Sequence, residues 1–353
     1  MSRSGTPTLA TALGANPEFF PYELDPVQRS VRFIRLTEQD YVRASFLDPR
    51  VLTANTLSRT LPLKEVESAV AASALTEACD FIFHIGHVGS TLLSRFLGSS
   101  RRVFALREPL ILRTLTMQRV SPGEYPVGPA KAEFETRLAT FIKLWSRTYH
   151  PGQRACIKAT SFVSELAATI LARSACPRAI FMYVRPESYL ATILAGPNSR
   201  QEFKLFSSSR LERLQSRSFA MDMRLADLSE GETVAMGWLT EMTALAAAAE
   251  CRPDQIMWLD FDRFLEEPAV SLSHVFSHLQ ISAEENEVMA ILSGGEAQRY
   301  SKAQEFPYDA DLRRSVLDQA RHEHSEEIAR GLRWLERLET KIPAVQEALE
   351  LNR

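Results

Sequence analysis

Residues 81–97, FIFHIGHVGSTLLSRFL, hold three kinds of local structure in seventeen positions. Phe81, Ile82, Phe83 and Ile85 form a short apolar run of the kind buried on both faces as a strand, Gly86 and Gly89 permit a tight turn, and from Ser90 the apolar residues recur at helical spacing. A strand, a tight turn and a helix start together offer backbone N–H groups and the positive end of a helix dipole to an anion. Ser90 and Thr91 add hydroxyl donors, and His87 projects from the loop. The nucleoside-triphosphatase pattern GxxxxGK[ST] is not met, because His84 stands where its first Gly belongs and Ser90 where its Lys belongs. On this segment alone, an ordinary strand–turn–helix corner stays open as the plain alternative to a phosphate site.

Four more β-branched or aromatic runs follow: VFAL (103–106), ACIK (155–158), AIFMYV (179–184) and IMWLDF (256–261). Helix-like segments separate most of them, at 90–98, 132–145, 161–173 and 232–250, and another helix opens at Pro268. The alternation predicts an α/β fold with a parallel central sheet of about five strands and helices on both faces. Residues 76–310 make up this domain, with a Ser- and Arg-rich helical insertion or lid at 197–230. Residues 1–75 precede it as an N-terminal extension with no readable motif, a candidate acceptor-binding part. From Asp311 to residue 353 one long charged helical region is expected, with Val316, Leu317, Ala320, Ile328, Leu332 and Leu335 as its apolar spine.

With 45% hydrophobic and 24% charged residues, the chain has material for a sizeable core, which excludes disordered and fibrous classes. Its 353 residues suit either two domains or one large one with excursions. Lys and Arg number 41 against 44 Asp and Glu, so no global basic field points to nucleic acid or an anionic membrane, and any anion site must be local. Cys79, Cys156, Cys176 and Cys251 are far apart, which argues against a zinc site or a disulfide framework and for a reducing, cytoplasmic home. No apolar run is long enough for a membrane span, and residues 245–249 read as packed helix. The first residues lack the apolar core of a secretory signal; their Ser, Thr and Ala content, with no acid before Glu18, leaves an organelle transit peptide open.

The G-x-x-G-S-T-L-L start of the helix at Ser90 resembles the phosphosulfate-binding loop of sulfotransferases, in particular the P-R-S-G-S-T-L-L form of protein-tyrosine and several bacterial members. The resemblance implies a P-loop-like fold that grips 3′-phosphoadenosine-5′-phosphosulfate without a metal. Gly89, Ser90 and Thr91 carry over directly, Gly86 and Val88 complete the loop, and His87 stands where the family has Lys or Arg. A second match lies at AIFMYVRPESYLATIL (179–194), where Arg185 ends a strand and Thr192 follows in a helix. The family holds the 3′-phosphate with such an Arg and a hydroxyl residue one position further on than Thr192. A guanidinium suits that task because its planar fork binds phosphate through charge-assisted hydrogen bonds. The third, QIMWLDFDRFLEEPAVSLSHVFSHL (255–279), resembles the family's acidic strand end followed by a Pro-initiated helix, with Asp260 and Asp262 capping and bracing.

Sulfuryl transfer to a hydroxyl or amine needs a base, cations and in-line positioning. In RACIKATSF (154–162) Thr160 occupies the place of the family's usual basic His, so the base must lie elsewhere. Glu108, shortly after the second strand, matches the catalytic Glu of protein-tyrosine sulfotransferases, and Lys158 matches their strand-end Lys. His87 would join Lys158 in steadying the sulfuryl group. The plain alternative for Glu108 is a salt bridge to Arg107 or Arg113. In RYSKAQEFPYDADLR (299–313), Arg299 or Lys302 would serve as the family's late basic loop at the 3′-phosphate. Two other functions stay open: a P-loop small-molecule kinase using Asp260 as a Mg²⁺ ligand, and a nucleotide-binding protein without turnover. The acceptor, a small molecule or a peptide, and the oligomeric state are not legible in the sequence.

Overall fold

Five apolar runs separated by helices become five parallel strands, each within two residues of its expected bounds. The computed structural model describes residues 9–120, 130–217, 223–294, 310–340 and 342–350. An N-terminal antiparallel sheet comes first, from β1 (Phe19–Asp25), β2 (Ser30–Arg35) and β3 (Ser58–Pro62) in the order β1-β2-β3. The central sheet is built from β4 (Cys79–His84), β5 (Val103–Arg107), β6 (Arg154–Lys158), β7 (Ala179–Tyr183) and β8 (Ile256–Asp260), in the order β5-β6-β4-β7-β8. All four of its pairings are parallel, so all five carboxyl ends meet at one edge. Every residue of β4, β5 and β7 is buried, as expected of a sheet covered on both faces. The chain leaves β4 for β5 on one side and later reaches β7 on the other, and this change of direction opens a crevice at the carboxyl end of β4.

Buried arginines of the α/β domain dock the N-terminal extension through its backbone carbonyls, alongside ion pairs such as Arg29–Glu133 at 2.7 Å. Buried Arg147, at the end of the helix Lys131–Trp145, donates to the carbonyls of Leu13, Asn16 and Phe19 at 2.8, 2.7 and 2.9 Å. Burial lowers its pKa to about 10. Buried Arg107, the last residue of β5, donates to the carbonyls of Tyr41 and Ala44 at 2.9 and 2.6 Å. Its own carbonyl accepts from the Leu47 N–H at 2.7 Å, and Arg95 donates to the Ser45 hydroxyl at 2.7 Å. Residues 41–47 are thereby fastened across the end of β5.

The segment expected as an insertion or lid contains two helices, Pro197–Leu205 and Ser207–Ser216. The second is anchored by buried Arg213, which pairs with Glu165 and Glu241 at 2.7 Å each. Among the described residues, the C-terminal helical region is divided into Ala310–Glu323, Ser325–Glu339 and Pro343–Glu350. Of its expected spine, Leu317, Ala320, Ile328 and Leu335 are buried and Leu332 is partly buried, whereas Val316, one position from Leu317 and so turned about 100° around the same helix, is 44% exposed. Ser325–Glu339 crosses the helix Glu230–Cys251 where two glycines meet: a Cβ on Gly331 would lie 2.6 Å from the Gly231 carbonyl oxygen and 2.3 Å from Leu190 Cδ2. Among the described residues, no helix is long and apolar enough to cross a membrane.

Gly331→Ala must separate this crossing or displace Leu190. It is expected to cost about 1–3 kcal/mol, the range for overpacking a tight core, as measured by urea unfolding.

Candidate active site

Each strand of the central sheet brings one chemically active feature to its carboxyl edge. Glu108 follows β5, Lys158 ends β6, the loop 85–89 follows β4, Arg185 lies just beyond β7, and Asp260 ends β8. With adjacent strands about 4.8 Å apart, the edge from β5 to β7 is about 14 Å long.

Three residues of the loop adopt positive φ, Gly86 at 92°, His87 at 57° and Gly89 at 65°. Such a run curls successive N–H groups toward one concavity, ahead of the positive end of the helix Ser90–Ser99. Buried His84 braces it. Its Nδ1 accepts from the Gly86 N–H at 3.0 Å, which leaves Nε2 to carry the proton and donate to the Ala159 carbonyl at 2.8 Å. Gly86 therefore contributes the turn, with its own N–H engaged inside the loop. The Tyr189 hydroxyl donates to the Ile85 carbonyl at 3.2 Å, tying the loop to the helix Pro186–Ala195. At Gly89 a Cβ would come within 2.0 Å of the Phe261 ring, so only glycine fits. Val88 is fully buried, His87 is partly exposed, and Ser90 and Thr91 are buried with no described residue taking up either hydroxyl.

Glu108 and Lys158 form an ion pair through Oε1 and Nζ. The Glu108 N–H also donates to the Lys158 carbonyl at 2.7 Å, and the Thr160 hydroxyl donates to Glu108 Oε2 at 3.3 Å. The plain alternative partners do not hold this carboxylate: Arg107 is occupied by carbonyls, and the Arg113 guanidinium lies over the Phe162 ring at 5.7 Å. Glu108 has φ 56°, a left-handed conformation that costs a residue with a Cβ roughly 1–2 kcal/mol. Lys158 is 1% exposed, and its ammonium also faces the Phe46 ring at 5.0 Å.

Arg185 is exposed at the start of the helix Pro186–Ala195, and Thr192 lies seven residues on, about two turns along the same face. The Thr192 hydroxyl donates to its own helix at the Ser188 carbonyl, 2.7 Å away, which leaves its lone pairs but not its proton for a ligand. Asp260 caps the next helix by accepting from the Asp262 N–H at 2.9 Å, and burial raises its pKa. Burial and the Asp260 charge likewise raise Tyr183. Asp262 pairs with Arg313 at 2.8 Å. Both acids thus cap and brace. Arg299 and Lys302 lie outside the described residues.

Several residues that sequence reasoning did not single out stand at this edge. Arg313 rests 5.0 Å over Phe261, the ring that closes on Gly89, and so couples the C-terminal helices to the loop. From the N-terminal extension come Phe46, Asp48 and Arg50, with the Arg50 guanidinium 3.9 Å from the Phe46 ring centre. Burial acts to raise the Asp48 carboxyl, but hydrogen bonds from Arg50 outweigh it and hold the pKa below the ordinary value. Only Thr160 carried a signal, as the residue in the place of the family His. Among the described residues, no group of three or more His, Cys, Asp or Glu side chains is arranged to hold a metal ion.

Together these features define an α/β protein with a positive-φ loop at a helix start and a carboxylate–ammonium pair on one sheet edge. No protein-family model matches the chain, and no curated protein sequence does. Among solved structures it is similar to a sulfotransferase domain from the curacin biosynthetic pathway, at 12% identity and TM-score 0.41, over 70% of this chain and 91% of that one. It is similar to the sulfotransferase domain of the Synechococcus PCC 7002 olefin synthase, at 12% identity and TM-score 0.41, over 72% and 96%. A sulfotransferase from Alicyclobacillus acidocaldarius overlaps at 11% identity and TM-score 0.32, over 72% and 94%.

A double-mutant cycle tests whether Glu108 and Lys158 depend on each other. Glu108→Gln leaves a buried ammonium without its countercharge and is expected to cost about 3–5 kcal/mol of stability. Lys158→Met strands the carboxylate, and the double variant should recover part of the summed loss, with a coupling of about 0.5–3 kcal/mol in urea unfolding. Strictly additive losses would show that the pair is not energetically coupled.

Proposed function

We infer that this chain is a sulfotransferase that takes the sulfuryl group of 3′-phosphoadenosine-5′-phosphosulfate and passes it to a hydroxyl or amine. One observation carries this: the order of groups along the edge, with a carboxylate–ammonium pair, then an anion-binding loop, then an Arg, on successive strands β5, β6, β4 and β7. That order parallels the order of parts in such a reaction, from acceptor proton through sulfuryl group and 5′-phosphate to 3′-phosphate. The loop fits a phosphate because its positive-φ turns and the helix start point donors to one place and because the Ser90 and Thr91 hydroxyls are not engaged by described residues.

The residues divide the work as follows. Loop N–H groups with Ser90 and Thr91 hold the 5′ end, and Arg185 with Thr192 takes the 3′-phosphate. Bound there, the donor supplies the sulfuryl group and leaves as adenosine 3′,5′-bisphosphate. Glu108 receives the proton of the attacking hydroxyl or amine at its carboxylate, held in place by Lys158 and Thr160. Lys158, with His87 at the loop, places positive charge beside the transferring group. No metal ligand is required, and Asp260, two strand spacings or about 10 Å from the loop strand, is occupied as a helix cap rather than offered to Mg²⁺.

Adenosine 3′,5′-bisphosphate should stabilise the fold by about 2.7 kcal/mol at a hundredfold excess over its dissociation constant, with or without a chelator, in thermal unfolding. A stabilisation seen only with ATP and Mg²⁺ would instead make the protein a kinase.

Arg185→Ala is expected to weaken adenosine 3′,5′-bisphosphate by roughly 10- to 150-fold, from the loss of about 1.5–3 kcal/mol, and to leave adenosine 5′-phosphate nearly unchanged. Calorimetric titration of both nucleotides into both proteins reads the difference, and a double difference near zero removes the 3′-phosphate from Arg185.

A further inference from the structure

Lys158 is almost fully buried and forms an ion pair with Glu108. Its ammonium has three donors, and Phe46 presents its ring at 5.0 Å from Nζ. Phe46 comes from the N-terminal extension, and the polypeptide on either side of it is fixed to the sheet. Ser45 accepts from Arg95, the Leu47 N–H donates to the Arg107 carbonyl, and the Tyr41 and Ala44 carbonyls take the Arg107 guanidinium. The ring is buried and cannot drift from this position without breaking those bonds.

An aromatic face attracts a cation through its quadrupole while carrying no net charge. A second carboxylate in that position would also steady the ammonium, but it would set one more negative charge against an anionic transferring group. A ring avoids that conflict. The other charged groups around this corner are Arg50 and Asp48 on the same N-terminal segment, Arg113 on the helix Leu110–Val120, and Glu202 on the helix Pro197–Leu205. Arg50 lies within electrostatic reach of Glu108 and Glu202, and Asp48 within reach of Arg50 and Arg113.

We propose that Phe46 is a positioning residue that holds Lys158 charged and aimed at Glu108, which makes the N-terminal extension one wall of the active site. This rests on Lys158 and Glu108 being the reacting pair proposed above. The ring acts on Lys158, and through it on the transferring group.

The experiment is an NMR titration of protein labelled with ¹³C at lysine Cε, in which the chain's seven lysines are few enough to resolve and Lys158→Met identifies one signal by its loss. Phe46→Leu keeps an apolar side chain of similar size, and so keeps Lys158 shielded from water, but removes the ring face. Phe46→Tyr keeps the face. Lys158 should bind its proton about 2- to 30-fold more weakly in Phe46→Leu, moving its titration to lower pH, and should return toward the wild-type midpoint in Phe46→Tyr. Glu108, Asp48, Arg113 and Glu202 are retained in all three proteins. The Arg50 guanidinium also rests on the Phe46 ring at 3.9 Å, so the comparison is repeated in an Arg50→Met background. The Phe46→Leu shift should persist there, and its disappearance would overturn the proposal. Identical midpoints in wild type and Phe46→Leu, with unfolding curves showing both folded, would overturn the proposal. So would a shift in Phe46→Leu that Phe46→Tyr fails to reverse. The titration needs neither donor nor acceptor. An absent Lys158 shift with intact adenosine 3′,5′-bisphosphate binding therefore ends this proposal alone, and absent nucleotide binding with the shift present ends the sulfuryl-transfer assignment alone.

Discussion

A charged ammonium at the end of a buried strand has to be compensated, and much of the geometry around β5 and β6 follows from that requirement. Lys158 is buried at the end of β6, and a lone charge there would cost several kcal/mol. Glu108 compensates it only by turning its backbone into a left-handed conformation immediately after β5, at a cost of roughly 1–2 kcal/mol. That turn is held from both sides, by the Lys158 carbonyl on the Glu108 N–H and by the Thr160 hydroxyl on its carboxylate. Backbone strain kept in place by surrounding bonds is common where chemistry needs a fixed direction. Here the strained residue is also the carboxylate proposed above as the base.

The loop after β4 meets a parallel requirement by other means. Its positive-φ turns give up the regular hydrogen bonds that would hold the backbone, so neighbours must hold it. His84 does so through both ring nitrogens and Tyr189 through its hydroxyl. Phe261 presses on Gly89, and Arg313 lies over Phe261. The C-terminal helices are therefore structurally continuous with the loop, although they are more than two hundred residues away in sequence.

The central sheet was legible because each of its strands is a short apolar run bounded by turn residues, and burial on both faces leaves little room for polar side chains. The N-terminal sheet was not. β1 carries Phe19, Phe20 and Tyr22 but is interrupted by Pro21 beside a shift in register, and β3 has four exposed residues out of five, so neither shows a clean alternation. Gly86, Gly89, Ser90 and Thr91 could be read locally, since a strand–turn–helix corner is made by neighbours in sequence. The brace by His84 could not, because it depends on the Ala159 carbonyl, supplied by the chain leaving β6. Phe46 and Arg313 are invisible for the same reason: each acts on a group that only tertiary folding brings near.

Strand order explains why Glu108 and Lys158 are partners although β5 and β6 are separated by an excursion of some forty-five residues. β6 inserts between β4 and β5, so the strand that follows the loop strand in sequence is not its neighbour in space. This insertion puts Lys158 directly between the loop and Glu108. A sheet in sequence order would have placed Glu108 beside the loop and Lys158 beyond it, with no cation between the loop and the carboxylate. The observed order interposes the Lys158 ammonium between the positive-φ loop and the Glu108 carboxylate, and in the function proposed above it would screen a proton-accepting carboxylate from an anionic donor.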